Sequence, residues 1–283
     1  VAGVFQGNTQ DFTLVRYNLD GTLDTSFDGD GKVVTDVAGR DDIARVVALQ
    51  ADGKIIVAGR AHNGDNWDFA LVRYNPDGSL DISFDEDGKV LTDYSGCNEI
   101  GYGIDIQVDG KIVVVGITMD ADASDFAVAR YNPDGSLDTT FDGDGRVATD
   151  FIGTIDQGYA AVVQDDGKIV VVGNSVGTTV DFALVRYNSN GSLDTTFDGD
   201  GRVVTDVAGS VDRGVSIAQQ TDGKLVAAGI AVVDNSDDFA VVRYNPDGTL
   251  DSSFDDDGVV TTDVIGGADY GRSITLQPDG KIV

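Results

Sequence analysis

The sequence is poor in several residue types that mark common classes of protein. Its 283 residues include one cysteine, one methionine, one histidine, one tryptophan and four prolines. The single cysteine, Cys97, allows no internal disulfide, and no set of Cys and His residues can build a zinc site. Apolar runs reach only about five residues, whereas a membrane-spanning helix needs about 20. The sequence therefore predicts no disulfide scaffold, no zinc module and no membrane insertion.

Positive charge is also scarce. The chain has 19 Lys and Arg residues against 49 Asp and Glu residues, which gives a formal net charge of −30. Nucleic acids and anionic lipid surfaces are bound by clustered Lys and Arg side chains. We therefore predict no nucleic-acid partner and no attachment to anionic membranes. With 41% hydrophobic residues, the chain can still bury a sizeable core.

Internal repetition is the strongest positive feature of the sequence. The block Asp-Phe-Thr-Leu-Val-Arg-Tyr-Asn at residues 11–18 returns four times with small changes, at spacings of 56 or 57 residues. The later copies begin at Asp68, Asp125, Asp181 and Asp238. Periods of this length are typical of propellers and related arrays. Joining Val283 to Val1 restores the repeat in phase, so we predict one domain over residues 1–283 made of five circularly permuted repeats.

Each repeat contains four short runs rich in β-branched residues, which predict strands. In the first full repeat these runs are Ala44–Gln50, Lys54–Gly59, Phe69–Tyr74 and Lys89–Asp93, named strands a, b, c and d. Asp-Gly turns such as residues 52–53 join neighbouring runs as in hairpins, and no long stretch has helical periodicity. The sequence thus predicts an all-β, five-bladed β-propeller of four-stranded antiparallel blades. Its N- and C-terminal strands would share one blade and close the ring.

Three blocks of the repeat resemble a known family. They read Gln-x-Asp-Gly-Lys-Ile-Val-Val-Ala-Gly, Asp-Phe-Ala-Val-Val-Arg-Tyr-Asn-Pro-Asp-Gly-Ser-Leu-Asp-Thr-Thr-Phe and Asp-Gly-Asp-Gly-Lys-Val. These blocks resemble the delta-60 repeat of large bacterial cell-surface and secreted proteins, and the likeness covers nearly the whole chain. The resemblance implies a propeller fold and a bacterial extracellular or cell-surface location. It implies no enzymatic activity, because that family has no established catalytic residues.

Comparison of the five copies separates constant from variable segments. The a–b turns and c–d connections barely change, whereas the b–c and d–a loops change freely. In an antiparallel blade the two variable loops lie at the same end, and loops on a rigid scaffold carry most binding sites. We therefore expect any specific ligand on this b–c/d–a face. Trp67 is the best candidate for stacking on a sugar, with His62 and Asn66 as neighbouring candidates; burial of Trp67 under its loop is the alternative.

A repeated acidic turn, Asp-x-Asp-Gly, is a candidate calcium loop. It places two hard oxygen ligands ahead of a glycine, as calcium loops do. An EF-hand register fails because its twelfth position would be Val37 and not Glu. An acidic hairpin or bulge turn is the alternative interpretation, and no other cofactor is predicted. The ten candidate ligands are Asp28, Asp30, Asp85, Asp87, Asp142, Asp144, Asp198, Asp200, Asp255 and Asp257.

Charged and aromatic residues also recur once per repeat. The strand-c arginines could form an anion-binding ring, but we favour pairing of each with an aspartate of its own blade. Ten of the 12 phenylalanines occupy two positions of the repeat, and we expect them and the tyrosine after each arginine to pack between blades. The arginines are Arg16, Arg73, Arg130, Arg186 and Arg243, and aspartates recur at the end of strand d at Asp36, Asp93, Asp150, Asp206 and Asp263.

These features favour a structural or adhesive module of a bacterial extracellular protein, without enzymatic activity, because near-identical blades suit a scaffold better than a single active site. The alternative is a calcium-stabilised propeller that binds glycans or proteins on the b–c/d–a face. A hydrolase or lyase that uses the abundant carboxylates is a third hypothesis. Val1 is not a methionine and the repeat is cut within strand b. We therefore expect a processed or excised chain or a fragment, and the cut suits a piece of a longer array as well as a natural terminus. Head-to-tail or filamentous self-assembly is a further hypothesis.

Overall fold

A computed structural model describes residues 1–7, 9–151, 153 and 155–283 of the chain. All regular elements of these residues are strands, which confirms the all-β prediction. Within them, no helix is long and apolar enough to cross a membrane. The strands are β1 (Ala2–Gln6), β2 (Gln10–Val15), β3 (Lys32–Thr35), β4 (Asp42–Leu49), β5 (Ile55–His62), β6 (Trp67–Tyr74), β7 (Lys89–Thr92), β8 (Asn98–Ile106), β9 (Ile112–Met119), β10 (Ser124–Tyr131), β11 (Arg146–Thr149), β12 (Asp156–Val163), β13 (Ile169–Val176), β14 (Val180–Tyr187), β15 (Arg202–Thr205), β16 (Asp212–Gln219), β17 (Leu225–Val233), β18 (Ser236–Tyr244) and β19 (Val259–Thr262).

The strands form five sheets, one for each repeat. Four sheets have four strands, namely β4–β7, β8–β11, β12–β15 and β16–β19, and the sheet β1–β3 has three. Neighbours along the chain are neighbours in each sheet, and the paired strands run antiparallel. The order a, b, c, d predicted for one repeat is therefore confirmed, with β1, β2 and β3 standing as b, c and d of their sheet.

The chain divides into two compact units. The first comprises residues 1–121 and 127–147, and the second comprises residues 122–126 and 148–283. In the first unit β1 forms one edge of its sheet. In the second unit Leu276 and Ile282 pair in an isolated antiparallel bridge, as the ends of strands a and b do around an a–b turn. The predicted single domain and the closure of a ring by the terminal strands both stay predictions.

Strands b and c are longer than their residue preferences predict. In the second sheet β5 and β6 continue beyond Gly59 and before Phe69, with Ala61 opposite Asp68 and His62 opposite Trp67. The rings of His62 and Trp67 meet edge to face, with centroids 5.2 Å apart. Such cross-strand contacts stabilise pairing where β-propensity is weak. The b–c loop of this sheet is consequently reduced to residues 63–66.

Aromatic side chains pack consecutive sheets together, as the repeats predicted. Phe12 of the first sheet is fully buried in one cluster with Val57 and Tyr74 of the second sheet. Four tyrosines of strand c are also fully buried, and each shares a hydrogen bond with a strand-d threonine of the preceding repeat. The oxygen pairs are Tyr74–Thr35 at 2.7 Å, Tyr131–Thr92 at 2.8 Å, Tyr187–Thr149 at 2.6 Å and Tyr244–Thr205 at 2.9 Å.

A glycine on strand b accommodates a bulge in strand a. In the second sheet the register shifts between Ala44 and Val46, opposite Gly59. A Cβ on Gly59 would lie 2.0 Å from the carbonyl oxygen of Ile43, so only glycine fits there. Gly116, Gly173 and Gly229 are equally crowded by a strand-a carbonyl. The fifth equivalent, Gly3 in β1, has no atom within 4 Å of that position.

This difference gives a direct test of the packing at strand b. We expect Gly59→Ala to lower the free energy of unfolding by about 3 kcal/mol, because backbone must move to admit the methyl group. Gly3→Ala makes the same chemical change in open space and should alter stability by no more than about 0.5 kcal/mol. Equilibrium urea unfolding measures both. A loss at Gly3 as large as that at Gly59 would contradict the open edge at β1 and support a strand closing against it.

Candidate functional site

The a–b/c–d end of each sheet is held by an ion pair inside the repeat. Arg73 donates through Nε to Oδ2 of Asp81 at 2.6 Å, and Lys54 Nζ lies 2.8 Å from the same oxygen. Ser83 donates its amide and hydroxyl to Oδ1. Pairing of the strand-c arginine within its own blade is therefore confirmed. Its partner lies in the c–d connection and not at the end of strand d.

The same arginine also connects its repeat to the next one. Its guanidinium carbon lies 4.4 Å from the centroid of the Phe84 ring, and Nη1 donates to the carbonyl oxygen of Pro133. With its charge and donors occupied in this way, Arg73 has a structural role at the constant end of the sheet. The pairs Arg16–Asp24, Arg130–Asp138, Arg186–Asp194 and Arg243–Asp251 repeat its contact with an aspartate at 2.7 Å.

These contacts perturb the carboxylates that receive them. Burial raises the pKa of Asp194, but hydrogen bonds from Thr196 and Lys168 and the charge of Arg186 outweigh it and lower that pKa to about 2. A carboxylate with a lowered pKa stabilises the fold as an anion. That stabilisation is fully present above the pKa of the unfolded chain, about 4, and is lost as the pH falls through the folded-state value.

We therefore expect Asp194→Asn to lower the free energy of unfolding at pH 7 by about 2 kcal/mol relative to the unchanged protein. The difference should shrink between pH 4 and pH 2, as the native aspartate becomes protonated. Urea unfolding across this range measures it. Asp166→Asn is the matched control, because Asp166 is more than half exposed in its 3.5 Å pair with Lys168. A difference that stays constant down to pH 2 would contradict the ion-pair interpretation.

Each Asp-x-Asp-Gly segment forms a compact acidic turn directly before strand d. Asp28 has a φ of 48°, and its amide donates to the carbonyl oxygen of Asp77 in the next repeat at 2.7 Å. Oδ1 of Asp30 accepts the amide of Lys32 at 2.9 Å. The equivalent second aspartates Asp87, Asp144, Asp200 and Asp257 accept the same amide contact. A calcium ion at these turns stays a prediction.

A different set of acids converges at the b–c/d–a end. One lies at the start of strand c, one directly after strand d, and one at or before the start of strand a in the next repeat. In each set, a carboxylate oxygen from every residue lies within 4.8 Å of those from the other two. We call these sets the acidic triads. They are Asp11/Asp36/Asp42, Asp68/Asp93/Glu99, Asp125/Asp150/Asp156, Asp181/Asp206/Asp212 and Asp238/Asp263/Asp269.

In the first four triads, the acid from strand a is fully buried. Asp42 accepts the amide of Val37 at 2.6 Å through Oδ2, and Asp212 accepts that of Val207 at 2.8 Å in the same way. For the other oxygen, Oδ1, of both residues, the described part of the chain provides no hydrogen-bond partner. Asp36, after strand d, is by contrast exposed. Each of these four triads thus has an exposed aspartate at one side and, at the other, a buried carboxylate oxygen that no hydrogen-bond donor of the described residues contacts.

Burial and neighbouring negative charges raise the pKa of these inner carboxyl groups, so that they ionise less readily. Burial raises the pKa of Asp42 to about 6; backbone amides oppose the shift, and Asp36 and Asp11 add to it. In the second triad burial raises the pKa of Glu99 to about 7, although Thr118 donates to its Oε1 at 3.0 Å. A nearby positive charge would remove this electrostatic cost. The triads therefore have the donor set and the charge of a divalent-cation site.

The three candidate ligand residues of the second repeat lie in one hairpin beside a triad. Trp67 is half-buried, and the guanidinium of Arg60 lies 4.1 Å from a Trp67 ring centroid. His62 accepts the amide of Gly64 through Nδ1 at 3.0 Å. Asn66 is buried and donates to the carbonyl oxygen of Cys97, so it supports the d–a loop from below. Ligand binding by these residues stays a prediction.

Sequence reasoning missed the triads because their members come from three separate segments. Asp36 and its equivalents were recognised as a recurring position and considered as partners for arginine. Asp11 opens the most obvious repeated block, and an acid recurs at the position of Asp42 in every copy. That recurrence was the available signal. Convergence of the three positions depends on the packing of one sheet against the next, which the one-dimensional pattern does not contain.

Comparison with known proteins identifies a family for this chain. A family model described as a "domain of unknown function (DUF5122) beta-propeller" matches residues 1–27, 50–84, 107–141, 164–197 and 220–254. These matches cover more than half of the chain and fall once in every repeat. They support the five-bladed propeller predicted from the sequence. No curated protein matches the chain.

Several solved structures are similar to the chain at low identity. A protein of unknown function from Bacteroides caccae is 14% identical with a TM-score of 0.49, over 88% of this chain and 80% of that one. Streptogramin B lyase is 13% identical with a TM-score of 0.48, over 99% and 88%. A gluconolactonase from Xanthomonas campestris is 14% identical with a TM-score of 0.44, over 99% and 89%.

These similarities correct one prediction. The similarity of the repeats predicts a protein without enzymatic activity. The similar solved structures include a lyase and a gluconolactonase. The exclusion of enzymatic activity was therefore wrong. Repetition of the scaffold positions places no limit on what the variable loops can carry.

Proposed function

Because this chain belongs to the DUF5122 beta-propeller family, we propose that it is a binding module of a bacterial extracellular or cell-surface protein, with its ligand held by the b–c and d–a loops. The observation that carries the proposal is the contrast between the two ends of each sheet. One end repeats the same contacts in every copy. The other presents loops that differ between copies, at the edge of the acidic triads. The resemblance of the repeat blocks to the delta-60 repeat supports the extracellular location.

The constant end has the contacts expected of a scaffold. The ion pair of Arg73 with Asp81 recurs in all five repeats, and both residues are at most 5% exposed. Breaking a buried pair of this kind is costly, so substitutions there are constrained by stability. In the variable loops, the described residues repeat backbone hydrogen bonds to aspartates, such as that from Gly39 to Asp36, but no ion pair of this kind. Substitutions there can change recognition while the sheets stay intact.

The hairpin at residues 60–67 favours a carbohydrate ligand. It places an indole ring, an imidazole and a guanidinium together on a half-buried surface through Trp67, His62 and Arg60. Aromatic faces next to polar groups suit sugars, which offer both C–H faces and hydroxyl groups. The net charge of −30 favours neutral or basic ligands over acidic ones.

A glycan array tests this function. We expect binding of a neutral or basic glycan, and we expect Trp67→Ala to weaken it at least tenfold, because the stacking surface is lost. Leu19→Ala is the control, since Leu19 is fully exposed in the constant c–d connection. If Trp67→Ala leaves glycan binding unchanged, the hairpin is not part of the binding site. The absence of any glycan signal would argue against a carbohydrate ligand.

Self-assembly is a second candidate function, and the edge strand β1 favours it. Val4 and Phe5 in this strand are 37% and 49% exposed. An open edge with exposed apolar side chains is a template for pairing with another chain. An adhesive or filamentous module could use that edge to join successive copies head to tail.

Light scattering after size-exclusion chromatography tests self-assembly. We expect association that increases with protein concentration, and we expect Val4→Lys to reduce it by placing a charge on the edge. Val108→Lys, at a fully exposed residue in an a–b turn, is the matched control. A monodisperse monomer at high concentration would exclude this function.

A further inference from the structure

We propose that each acidic triad binds one divalent cation, with calcium as the preferred ion, so that the chain carries five cation sites at the base of its variable loops. These sites are distinct from the Asp-x-Asp-Gly turns that the sequence suggested. Binding of the cation does not require a glycan ligand. The ion would hold strands c and d of one repeat to strand a of the next.

The spacing of the oxygens fits one ion. Calcium binds oxygen ligands at 2.3–2.6 Å, so two ligand oxygens of the same ion are separated by at most about 5 Å. In every triad the three carboxylate oxygens lie within 4.8 Å of one another. Magnesium binds at 2.0–2.1 Å in a strict octahedron and keeps its waters, so it requires a tighter arrangement. The all-oxygen donor set also disfavours zinc and copper, which prefer nitrogen and sulfur ligands.

The buried carboxylate oxygens without donors supply a second, independent reason. Asp42, Glu99 and Asp212 are 0% exposed, and each has one carboxylate oxygen that no described residue reaches with a hydrogen bond. Buried polar atoms are almost always paired, because leaving one unpaired costs the desolvation of that group. A buried carboxylate oxygen without a donor recurs in three different triads. A cation would satisfy it in each.

The surrounding hydrogen bonds position the carboxylates without neutralising them. Oδ2 of Asp42 is fixed by the amide of Val37, and Oδ1 of Asp36 accepts the amide of Gly39 at 2.5 Å. Lys89 comes close, but it donates to the backbone carbonyl of Asp36. Among the described residues, no Lys or Arg forms an ion pair with an acid of the first, second, fourth or fifth triad; Lys54, Lys168 and Lys224 instead pair with the aspartates of the constant end. With all three acids ionised, each of these triads has a formal charge of −3 that an ion can balance.

The ion-paired aspartates of the constant end differ from the triads, and this difference indicates that the triads are more than a result of the high content of acidic residues. Where a buried carboxylate has a structural role, as at Asp81, a repeated arginine and lysine accompany it in the same repeat. The triads keep three acids at the same three positions in all five copies, while the loops between them vary in sequence. The remaining coordination positions of each ion would be taken by water or by backbone carbonyl oxygens.

Equilibrium dialysis against calcium, after removal of bound metal with EDTA, tests the proposal. The measurement is made in about 0.15 M salt, which screens diffuse attraction of cations to an acidic protein. We expect five calcium ions per chain and a higher midpoint of thermal unfolding with calcium than with EDTA. We expect magnesium at the same concentration to compete weakly. No binding at millimolar calcium, or the same unfolding midpoint with and without it, would overturn the proposal.

Single substitutions locate the ions. Asp212→Asn and Asp36→Asn should each reduce the stoichiometry from five to four. Asp36 is exposed, so its variant folds even if the buried one does not, and circular dichroism verifies the fold of both. Asp30→Asn makes the same change of charge in the acidic turn and should leave five ions bound. Loss of an ion from Asp30→Asn but from neither triad variant would place calcium at the turns and refute the triad sites.

Discussion

The packing of each sheet on the one before it is the constraint on which the other features depend. A fully buried tyrosine from strand c reaches a threonine at the end of strand d in the preceding repeat, and phenylalanines fill the space between. A bulge in strand a fits against a strand-b glycine that has no room for a side chain. This packing brings the first acid of strand a beside the last acid of the preceding strand d. Without it the triads would be three unrelated carboxylates.

The two ends of each sheet handle buried charge in opposite ways. At the constant end, Asp81 and its equivalents receive an arginine and several donors, and the pKa of Asp194 is lowered to about 2. At the variable end, Asp42 and Glu99 lie among other acids, and their pKa values are raised to about 6 and about 7. The first arrangement stabilises the fold by itself. In our proposal the second is stabilised by a cation supplied from solution, which would make the loops above it responsive to that ion.

The binding that we propose at the variable end is consistent with this division of roles. A scaffold that repeats its contacts five times leaves its loops free to differ, and the b–c hairpin of the second repeat contains the single tryptophan and the single histidine of the sequence. The same freedom explains why similarity between repeats does not exclude catalysis, since a single loop can carry an asymmetric site.

The sequence by itself determined the all-β class, the period, the order of the four strands, the packing role of the aromatic residues and the division into constant and variable ends. All of these follow from local patterns that recur every 56 or 57 residues. Only the tertiary structure decided which aspartate receives Arg73, how far β5 and β6 extend, and which acids meet in the triads. Those outcomes depend on contacts between residues far apart in the chain, such as Asp11 with Asp42 across two sheets. A pattern of residue types records which acids recur but not which of them converge.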